Sequence, residues 1–215
     1  FLDYCVFEYG GSGTNGSAIF YFTGAPAINI SNTIVRLSAG HGINVRASSP
    51  RISTSNIRDN AGYGIYSDLV TTMKVDSTIS AKNLLGGIRI PINSNPEVTN
   101  SRIDSNGIGI FIDNSSAPKI QNNLIRYNNT GIQFTGLGGT QPTIKKNTIT
   151  NNTTWGFLNT GTGVVIAREN YWGSDFGPFH ASLNPTGLGD KVSNNVDFQP
   201  WTILGLARPV AQKTA

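Results

Sequence analysis

The chain is poor in residues that crosslink a fold or bind metals. Its 215 residues include one cysteine, Cys5, one methionine and two histidines. A single cysteine excludes an intrachain disulfide, and His41 and His180 are not spaced as metal ligands. No apolar run is long enough to span a membrane. We therefore predict no cofactor and no membrane-spanning segment.

Charge is scarce as well. Only 13% of the residues are charged, and the formal net charge of +4 is spread along the chain. Proteins that bind nucleic acid concentrate their basic residues on one face, so we predict no nucleic-acid partner. The hydrophobic fraction of 38% is sufficient for a core. Abundant Asn, Thr, Ser, Gly and Ile favour strands and tight turns over helices.

A repeat of 22 to 24 residues accounts for most of the chain. In its clearest copy, residues 118–134 (PKIQNNLIRYNNTGIQF), apolar and polar residues alternate in three short runs, which predicts strands with one buried face. The first run recurs at Ile28, Ile52, Val75, Val98, Ile120, Ile144 and Ile166. The second run recurs at Ile34, Ile57, Ile79, Ile103, Ile125 and Ile149. The third run recurs at Ile43, Ile65, Ile88, Ile110, Ile132 and Phe157.

Three strands per repeat without a helix predict an all-β fold, a parallel β-helix. In such a solenoid each coil pairs with the next at about 4.8 Å, and only stacking closes the core. We predict seven to eight coils over residues 1–173, an aromatic-rich capping segment over 174–203 and a linker or tail over 204–215. The first residues already read as a strand, so we expect a longer chain or an assembly that continues the coils.

Polar residues at the turns form a second register. An Asn or Ser stands two residues before each second run, and we predict a structural ladder from Asn32, Asn123, Asn147 and Asn170. Stacked Asn side chains can hydrogen-bond along a column and satisfy the main chain of the turns. Another set follows the second run by three residues and comprises Asn60, Asn106, Asn128 and Asn152, with Asn83 one place late.

The repeat resembles that of the right-handed parallel β-helix proteins, which include the pectate-lyase-like superfamily and the periplasmic NosD-like proteins. Residues 170–180 (NYWGSDFGPFH) are similar to the closing segment of many secreted bacterial β-helix proteins. The resemblance implies right-handed winding and an exported protein, extracellular or at the cell surface. It also implies relatives that bind, cleave or display polysaccharide, although a fold does not determine a function.

Asp76 and Glu97 are the best candidates for a catalytic pair. They flank the inward Val75 and Val98 on adjacent coils, displaced by two residues, so we expect them about 7–8 Å apart. That separation overlaps the spacing in inverting glycosidases. Because Lys74 is level with Glu97, a surface ion pair is the simpler interpretation. The twelve acidic residues are otherwise dispersed, which gives no support for a Ca²⁺ site.

Two outward-facing rows are candidates for binding. In the third run Tyr66, Arg89 and Phe111 project outward from successive coils, and the two rings are about 9–10 Å apart. Such an aromatic and cationic strip suits a sugar chain, unless these side chains only pack on one another. In the first run a basic face could contact a polyanion such as a uronic-acid polymer, or could simply be solvated. Its residues are Arg51, Lys74 and Lys119.

The sequence thus leaves two kinds of function open. The favoured one is an extracellular, non-catalytic β-helix module, either a structural stalk or an adhesin that contacts polysaccharide or cell-wall glycan. It is favoured because the scaffold is complete and no acidic cluster is assembled. The alternative is a polysaccharide lyase or glycoside hydrolase acting on an acidic glycan. A copper-handling role like that of NosD is disfavoured because Met, His and Cys are so few.

Overall fold

The computed structural model describes residues 1–12, 16–21, 28–69, 71–136 and 141–204. Apart from residue 204, the expected linker or tail over 204–215 lies outside these ranges. No helix within the described residues has the length and hydropathy needed to cross a membrane. The fold is all-β, and it is built almost entirely from strands of two to six residues.

Three parallel sheets of seven strands wind into a solenoid, which confirms the predicted parallel β-helix. The first sheet contains β1 (Leu2–Asp3), β4 (Asn29–Ser31), β7 (Arg51–Ser53), β10 (Lys74–Asp76), β13 (Glu97–Thr99), β16 (Lys119–Gln121) and β19 (Thr143–Lys145). The second contains β2 (Val6–Glu8), β5 (Ile34–Arg36), β8 (Asn56–Arg58), β11 (Ile79–Ala81), β14 (Arg102–Asp104), β17 (Leu124–Arg126) and β20 (Thr148–Thr150). The third contains β3 (Ser17–Tyr21), β6 (His41–Arg46), β9 (Tyr63–Asp68), β12 (Gly86–Ile90), β15 (Ile108–Ile112), β18 (Thr130–Phe134) and β21 (Trp155–Asn159).

The solenoid has about six turns, fewer than the seven to eight coils predicted. The difference arises at its C-terminal end. Strand β22 (Val165–Ile166), which the repeat assigned to a further coil, pairs with β23 (Val196–Asp197) in a separate two-stranded sheet. The segment that follows Gly173 therefore returns to the solenoid and provides the partner strand itself.

Columns of aliphatic side chains form the core. In the third sheet the predicted third-run residues point inward, and each of them directly follows a glycine. These residues are completely buried: Ile43, Ile65, Ile88, Ile110, Ile132 and Phe157. Burying one such side chain contributes about 1.5–3 kcal/mol relative to leaving it exposed. Glycine precedes them because there is no room for a Cβ. At Gly131 a Cβ would lie 2.6 Å from the carbonyl oxygen of Gly156 on the next coil.

The inward register of the first two sheets differs from the prediction at three positions. Val35, not Ile34, is level with Ile57 and buried, and Ser80, not Ile79, is level with Ile103. Ser80 is tolerated in the core because its hydroxyl donates to the carbonyl of Gly87 at 2.9 Å. In the first sheet the inward residue is Ile30 rather than Ile28.

The first bend, between the first and second sheets, is held by a ladder of buried asparagines, as predicted. Asn123 donates from its main-chain nitrogen and from Nδ2 to Oδ1 of Asn147, each at 3.0 Å. Asn147 donates in the same way to Asn170, at 2.9 and 3.0 Å. In earlier coils Ser or Thr occupies the ladder position in place of Asn. Ser101 joins the ladder through its main-chain nitrogen, which donates to Asn123 Oδ1 at 2.9 Å.

Asn32 does not belong to this ladder, contrary to the prediction. Because Val35 is the inward residue, the ladder position two residues earlier is Thr33, whose nitrogen donates to Ser55 Oγ at 3.2 Å. Asn32 is exposed, has a left-handed φ of 49°, and donates from Nδ2 to Oδ1 of Asp3 at 2.9 Å. It links two coils from the outside of the turn.

A second ladder holds the bend between the second and third sheets. Its members are Asn60, Asn83, Asn106, Asn128 and Asn152. Asn83, which the sequence placed one residue late, has the regular spacing of the ladder because it lies three residues after the inward Ser80. The ladder ends on a carboxylate, since Asn152 donates from its main chain and from Nδ2 to Asp190 Oδ2 at 3.0 and 2.7 Å. Partial burial, the largest effect, raises the pKa of Asp190.

Replacing a ladder asparagine should destabilise the fold far more than replacing an exposed one beside it. Asn128→Ala removes the acceptor of the main-chain N–H of Asn106 and of one of its two Nδ2–H groups, and it removes the Nδ2 donor to the carbonyl oxygen of Ile103. We expect a loss of about 3 kcal/mol in the free energy of unfolding. The control, Asn129→Ala, removes only an exposed bond to Thr154 and should cost less than about 0.5 kcal/mol. Denaturant titrations followed by circular dichroism measure both, and equal losses would contradict the structural role.

The raised pKa of Asp190 predicts a pH effect of known sign. Below 3.8, the ordinary pKa of the group, the carboxyl is protonated in both folded and unfolded chains. As the pH rises towards the higher pKa of the folded state, ionisation favours the unfolded chain. The stability of the wild type relative to Asp190→Asn should therefore fall over this interval and level off above it. Thermal unfolding between pH 3 and 8 checks this, with the exposed Asp175→Asn as control, and a relative stability that rose with pH would contradict it.

Candidate functional site

The outward-facing residues of the third sheet form one continuous row. Pairing places them level with one another on successive coils, and we call them the outer row: Phe20, Asn44, Tyr66, Arg89, Phe111, Gln133 and Leu158. The register of the three predicted binding residues, Tyr66, Arg89 and Phe111, is thus as expected. Neighbours in this row are about 4.8 Å apart along the solenoid axis.

Arg89 occupies the centre of the outer row. Its guanidinium carbon lies 5.6 Å from the centroid of the Tyr66 ring and 5.1 Å from that of Phe111, within the range of cation–π attraction. Nη2 pairs with Asp113 Oδ2 at 2.9 Å, and Thr135 donates to the other oxygen of Asp113 at 3.1 Å. Nε of Arg89 is buried, and no described residue accepts a hydrogen bond from it.

Two aromatic residues that the sequence did not single out support the row from beneath. The ring of His41 stacks on Tyr66, with centroids 4.3 Å apart and planes 6° apart. Nδ1 of His41 accepts the main-chain N–H of Tyr63 at 3.0 Å. Burial, followed by the charge of Arg89, lowers the pKa of His41. His41 is therefore a neutral packing group whose ring orients Tyr66.

A signal for these residues is present in the repeat. His41 and Tyr63 are the residues immediately before the Gly-Ile pairs at 42–43 and 64–65. Later coils have Gly86, Ile108, Thr130 and Trp155 at this position. Only the two early coils therefore place an imidazole or phenol ring beside the outer row, at the level of Tyr66.

A shallow cleft of about 250 Å³ opens between Tyr66 and Arg89 on one side and a turn on the other. Its remaining wall is Leu69, Pro91, Ile92 and Asp113. Ile92 is 52% exposed and Leu69 is 48% exposed. The cleft therefore combines apolar surface with one ion pair, which is the composition that binding sites for amphipathic ligands share.

Asp76 and Glu97, the candidate catalytic pair, are each engaged by other groups. Oδ1 of Asp76 accepts from Asn100 Nδ2 and from Thr99 Oγ1, both at 2.8 Å. Glu97 lies between Lys74 and Lys119, with nitrogen–oxygen distances of 3.4 and 3.9 Å. The partners of both carboxylates are therefore surface groups of their own and neighbouring coils.

The pKa of Asp76 also indicates a structural role for this carboxylate. The hydrogen bonds from Asn100 and then Thr99 are the main causes that lower its pKa. A general acid needs a raised pKa in order to hold its proton near neutral pH. Asp76 instead stays ionised and links two coils, as Asp3 does through Ser31 and Asn32 at 2.8 and 2.9 Å.

The basic face of the first sheet is paired with the same two acids. Lys74 and Lys119 flank Glu97, and Arg51 lies 3.6 Å from Asp76. Exposed pairs of this kind contribute about 0–1 kcal/mol each. The three cations therefore alternate with two carboxylates, which leaves these five groups with a net charge of +1 instead of a field of one sign. Within the described ranges, no group of three or more His, Cys, Asp or Glu side chains could hold a metal ion.

Comparison with known proteins identifies the fold family. Residues 41–176 match the family model described as right handed beta helix region. No curated protein and no solved structure matches the chain significantly. The match covers the coils that carry most of the outer row, from Asn44 to Leu158, and both ladders.

Asp76→Asn should test whether this carboxylate is a structural link. Its lowered pKa means that the charge stabilises the folded chain above pH 3.8 and that this stabilisation is lost as the pH falls through the pKa of the folded state. We expect Asp76→Asn to cost about 1 kcal/mol at pH 7 and progressively less as the pH falls through the pKa of the folded state. Glu97→Gln, whose pairs are exposed, should change the free energy of unfolding by less than about 0.5 kcal/mol. A pH-independent loss in Asp76→Asn would contradict this assignment.

Proposed function

Since the chain belongs to the right handed beta helix region family, we propose that it is an exported, non-catalytic module that contacts polysaccharide through Tyr66, Arg89 and Phe111 of the outer row. The observation that carries this proposal is the alignment of Tyr66, Arg89 and Phe111 on three successive coils. All three are half-buried, so their bases are held by neighbours while part of each remains accessible.

The chemistry of the row suits a sugar chain. The faces of pyranose rings carry C–H groups that pack on aromatic rings, and sugar hydroxyls bind to polar groups at the edges. A rigid β-sheet holds the rings at a spacing set by strand pairing, so little conformational entropy is lost on binding. Two coils separate Tyr66 from Phe111, a distance comparable to a disaccharide unit of an extended glycan.

The non-catalytic part of the proposal is supported by the partners of the acidic residues. Asp76 is held ionised by two neutral donors, and Glu97 is flanked by two lysines. A glycoside hydrolase would need one carboxyl that keeps its proton and a second that faces the same substrate. The arrangement of these two side chains supports a surface role instead.

We also propose that residues 174–203 cap the C-terminal end of the solenoid, an arrangement that would suit a stalk. The main-chain nitrogen of Gly156 in the last strand of the third sheet donates to the carbonyl of Lys191 at 2.8 Å. The buried ring of Phe198 lies between His180 and Trp201, at centroid distances of 5.8 and 6.3 Å. These contacts cover strand edges and core that would otherwise face water.

Binding to neutral and acidic polysaccharides, with and without Ca²⁺, tests the proposed function. We expect Tyr66→Ala and Phe111→Ala each to weaken binding about tenfold, because each removes one stacking surface. The control is Leu158→Ala, which lies two coils beyond Phe111 in the same row and should change the affinity less than about twofold.

The same samples are assayed for new reducing ends and unsaturated products, and we expect none. Cleavage that disappears in Asp76→Asn or Glu97→Gln would contradict the proposal and make the protein a polysaccharide lyase or glycoside hydrolase. Absence of binding to every polysaccharide would remove the adhesin role and leave only that of a structural stalk.

A further inference from the structure

We propose that a cleft at the N-terminal end of the outer row is a subsite for one unit of a neutral, hydroxyl-rich glycan. The inference rests on the proposed function and specifies where the chain binds and which kind of sugar it takes. The cleft has a volume of about 540 Å³. The residues that matter here are Ser12, Ser17, Phe20, Asn44, Arg46 and Tyr66.

A buried and unsatisfied acceptor is the main reason for this assignment. Asn44 is only 4% exposed and lines the cleft, yet none of the described residues donates a hydrogen bond to its Oδ1. Native structures rarely leave a buried polar atom in this state without a ligand, water or functional reason. A hydroxyl group of a sugar in the cleft would supply the missing donor.

The ladder asparagines show that Asn44 does not simply follow the structural rule of this fold. Asn128 accepts two hydrogen bonds on Oδ1 and donates two from Nδ2. Asn44 lies one coil before Tyr66 on the outer face of the third sheet, away from both ladders. An apolar side chain of similar shape would stabilise the fold more at this buried position than an amide whose oxygen has no hydrogen-bond donor.

The aromatic walls of the cleft continue the spacing of the row. Phe20, 51% exposed, and Tyr66 are separated by two coils, as are Tyr66 and Phe111. Aromatic rings therefore recur at about 9–10 Å along the solenoid axis. A linear glycan lying across the strands would contact all three rings, with one unit in the cleft beside Asn44.

The polar groups favour a neutral sugar. The unsatisfied atom of Asn44 is an acceptor, so it needs an O–H or N–H group, which a neutral unit offers at several positions; a uronate offers ring hydroxyls too, but its ionised carboxylate offers neither group. Arg89, at the centre of the row, already pairs with Asp113 at 2.9 Å. Its charge is thus balanced before a ligand arrives. Hydroxyl or N-acetyl groups fit these conditions better than uronate groups do.

The test is calorimetric titration of the full chain with cellohexaose, chitohexaose and hexagalacturonate. We expect one of the two neutral hexamers to bind more tightly than hexagalacturonate. Asn44→Leu should weaken that binding about 3- to 10-fold, the equivalent of one hydrogen bond, and should leave the Tm unchanged or raise it. Phe20→Ala should weaken it to a similar extent. Gln133→Ala, in the same row but remote from the cleft, is the matched control and should leave the affinity within about twofold.

The outcomes separate this inference from the proposed function. If Tyr66→Ala and Phe111→Ala weaken binding while Asn44→Leu and Phe20→Ala do not, the row binds glycan but the cleft is not a subsite. If hexagalacturonate binds more tightly than both neutral hexamers, the assignment of a neutral sugar is overturned. If Asn44→Leu lowers the Tm by several degrees, Asn44 is a structural residue and the assignment also fails. If no hexamer binds to the wild type, both proposals fall.

Discussion

Hydrogen bonds between asparagine side chains of successive coils are the constraint on which this structure depends. Each bend contains a non-glycine residue with a left-handed backbone just before the ladder residue, such as Tyr127 (φ 55°) before Asn128 and Lys146 (φ 58°) before Asn147. Such a conformation costs about 1–2 kcal/mol for most residues. The ladder offsets that cost, because Oδ1 of a ladder asparagine accepts from both the main-chain N–H and Nδ2 of the ladder asparagine one coil before it, as Asn152 accepts from Asn128. Because both bends are locked in this way, the register of all three sheets is determined, and so is the set of side chains that face outward.

The sequence predicted the third sheet best because its signal is unambiguous. A glycine that has no room for a Cβ stands directly before each inward residue, so no neighbouring position competes for the core. In the second sheet the apolar pair Ile34–Val35 offers two inward choices, and only the pairing with Ile57 decides between them. Ser80 could not be predicted as an inward residue, because its acceptor is the carbonyl of Gly87, which only the folded bend brings close. Asn32 lies outside the ladder because the inward residue of its coil is Val35, one position later than the predicted Ile34.

The candidate site was predictable only where it follows the repeat. Tyr66, Arg89 and Phe111 could be found because period-two alternation places them outward on successive coils. Asp113, which neutralises Arg89, follows the end of β15, and His41, which stacks on Tyr66, is the first residue of β6. At such strand ends the alternation gives no guidance, and tertiary contacts decide. Asp190 lies outside the repeat altogether, and nothing in its local sequence shows that it ends a ladder begun 130 residues earlier at Asn60. The alternating pattern thus identifies which side chains face outward, whereas the partners that neutralise or orient them can be identified only from the folded structure.

The two kinds of buried asparagine separate structure from function in this fold. Inside the bends every amide group is bonded, and local conformation, packing and hydrogen bonding all favour the same arrangement. On the outer row the amide oxygen of Asn44 has no donor among the described residues, and it is one of five buried side-chain atoms there without a hydrogen-bond partner. Departures of this kind tend to coincide with functional sites, because a group poised for a ligand is not fully satisfied without it. Phe20, whose ring is 51% exposed, lies one coil before Asn44 in the same row. The subsite that we propose therefore lies in the N-terminal coils rather than in the regular middle of the solenoid, because both residues line its cleft.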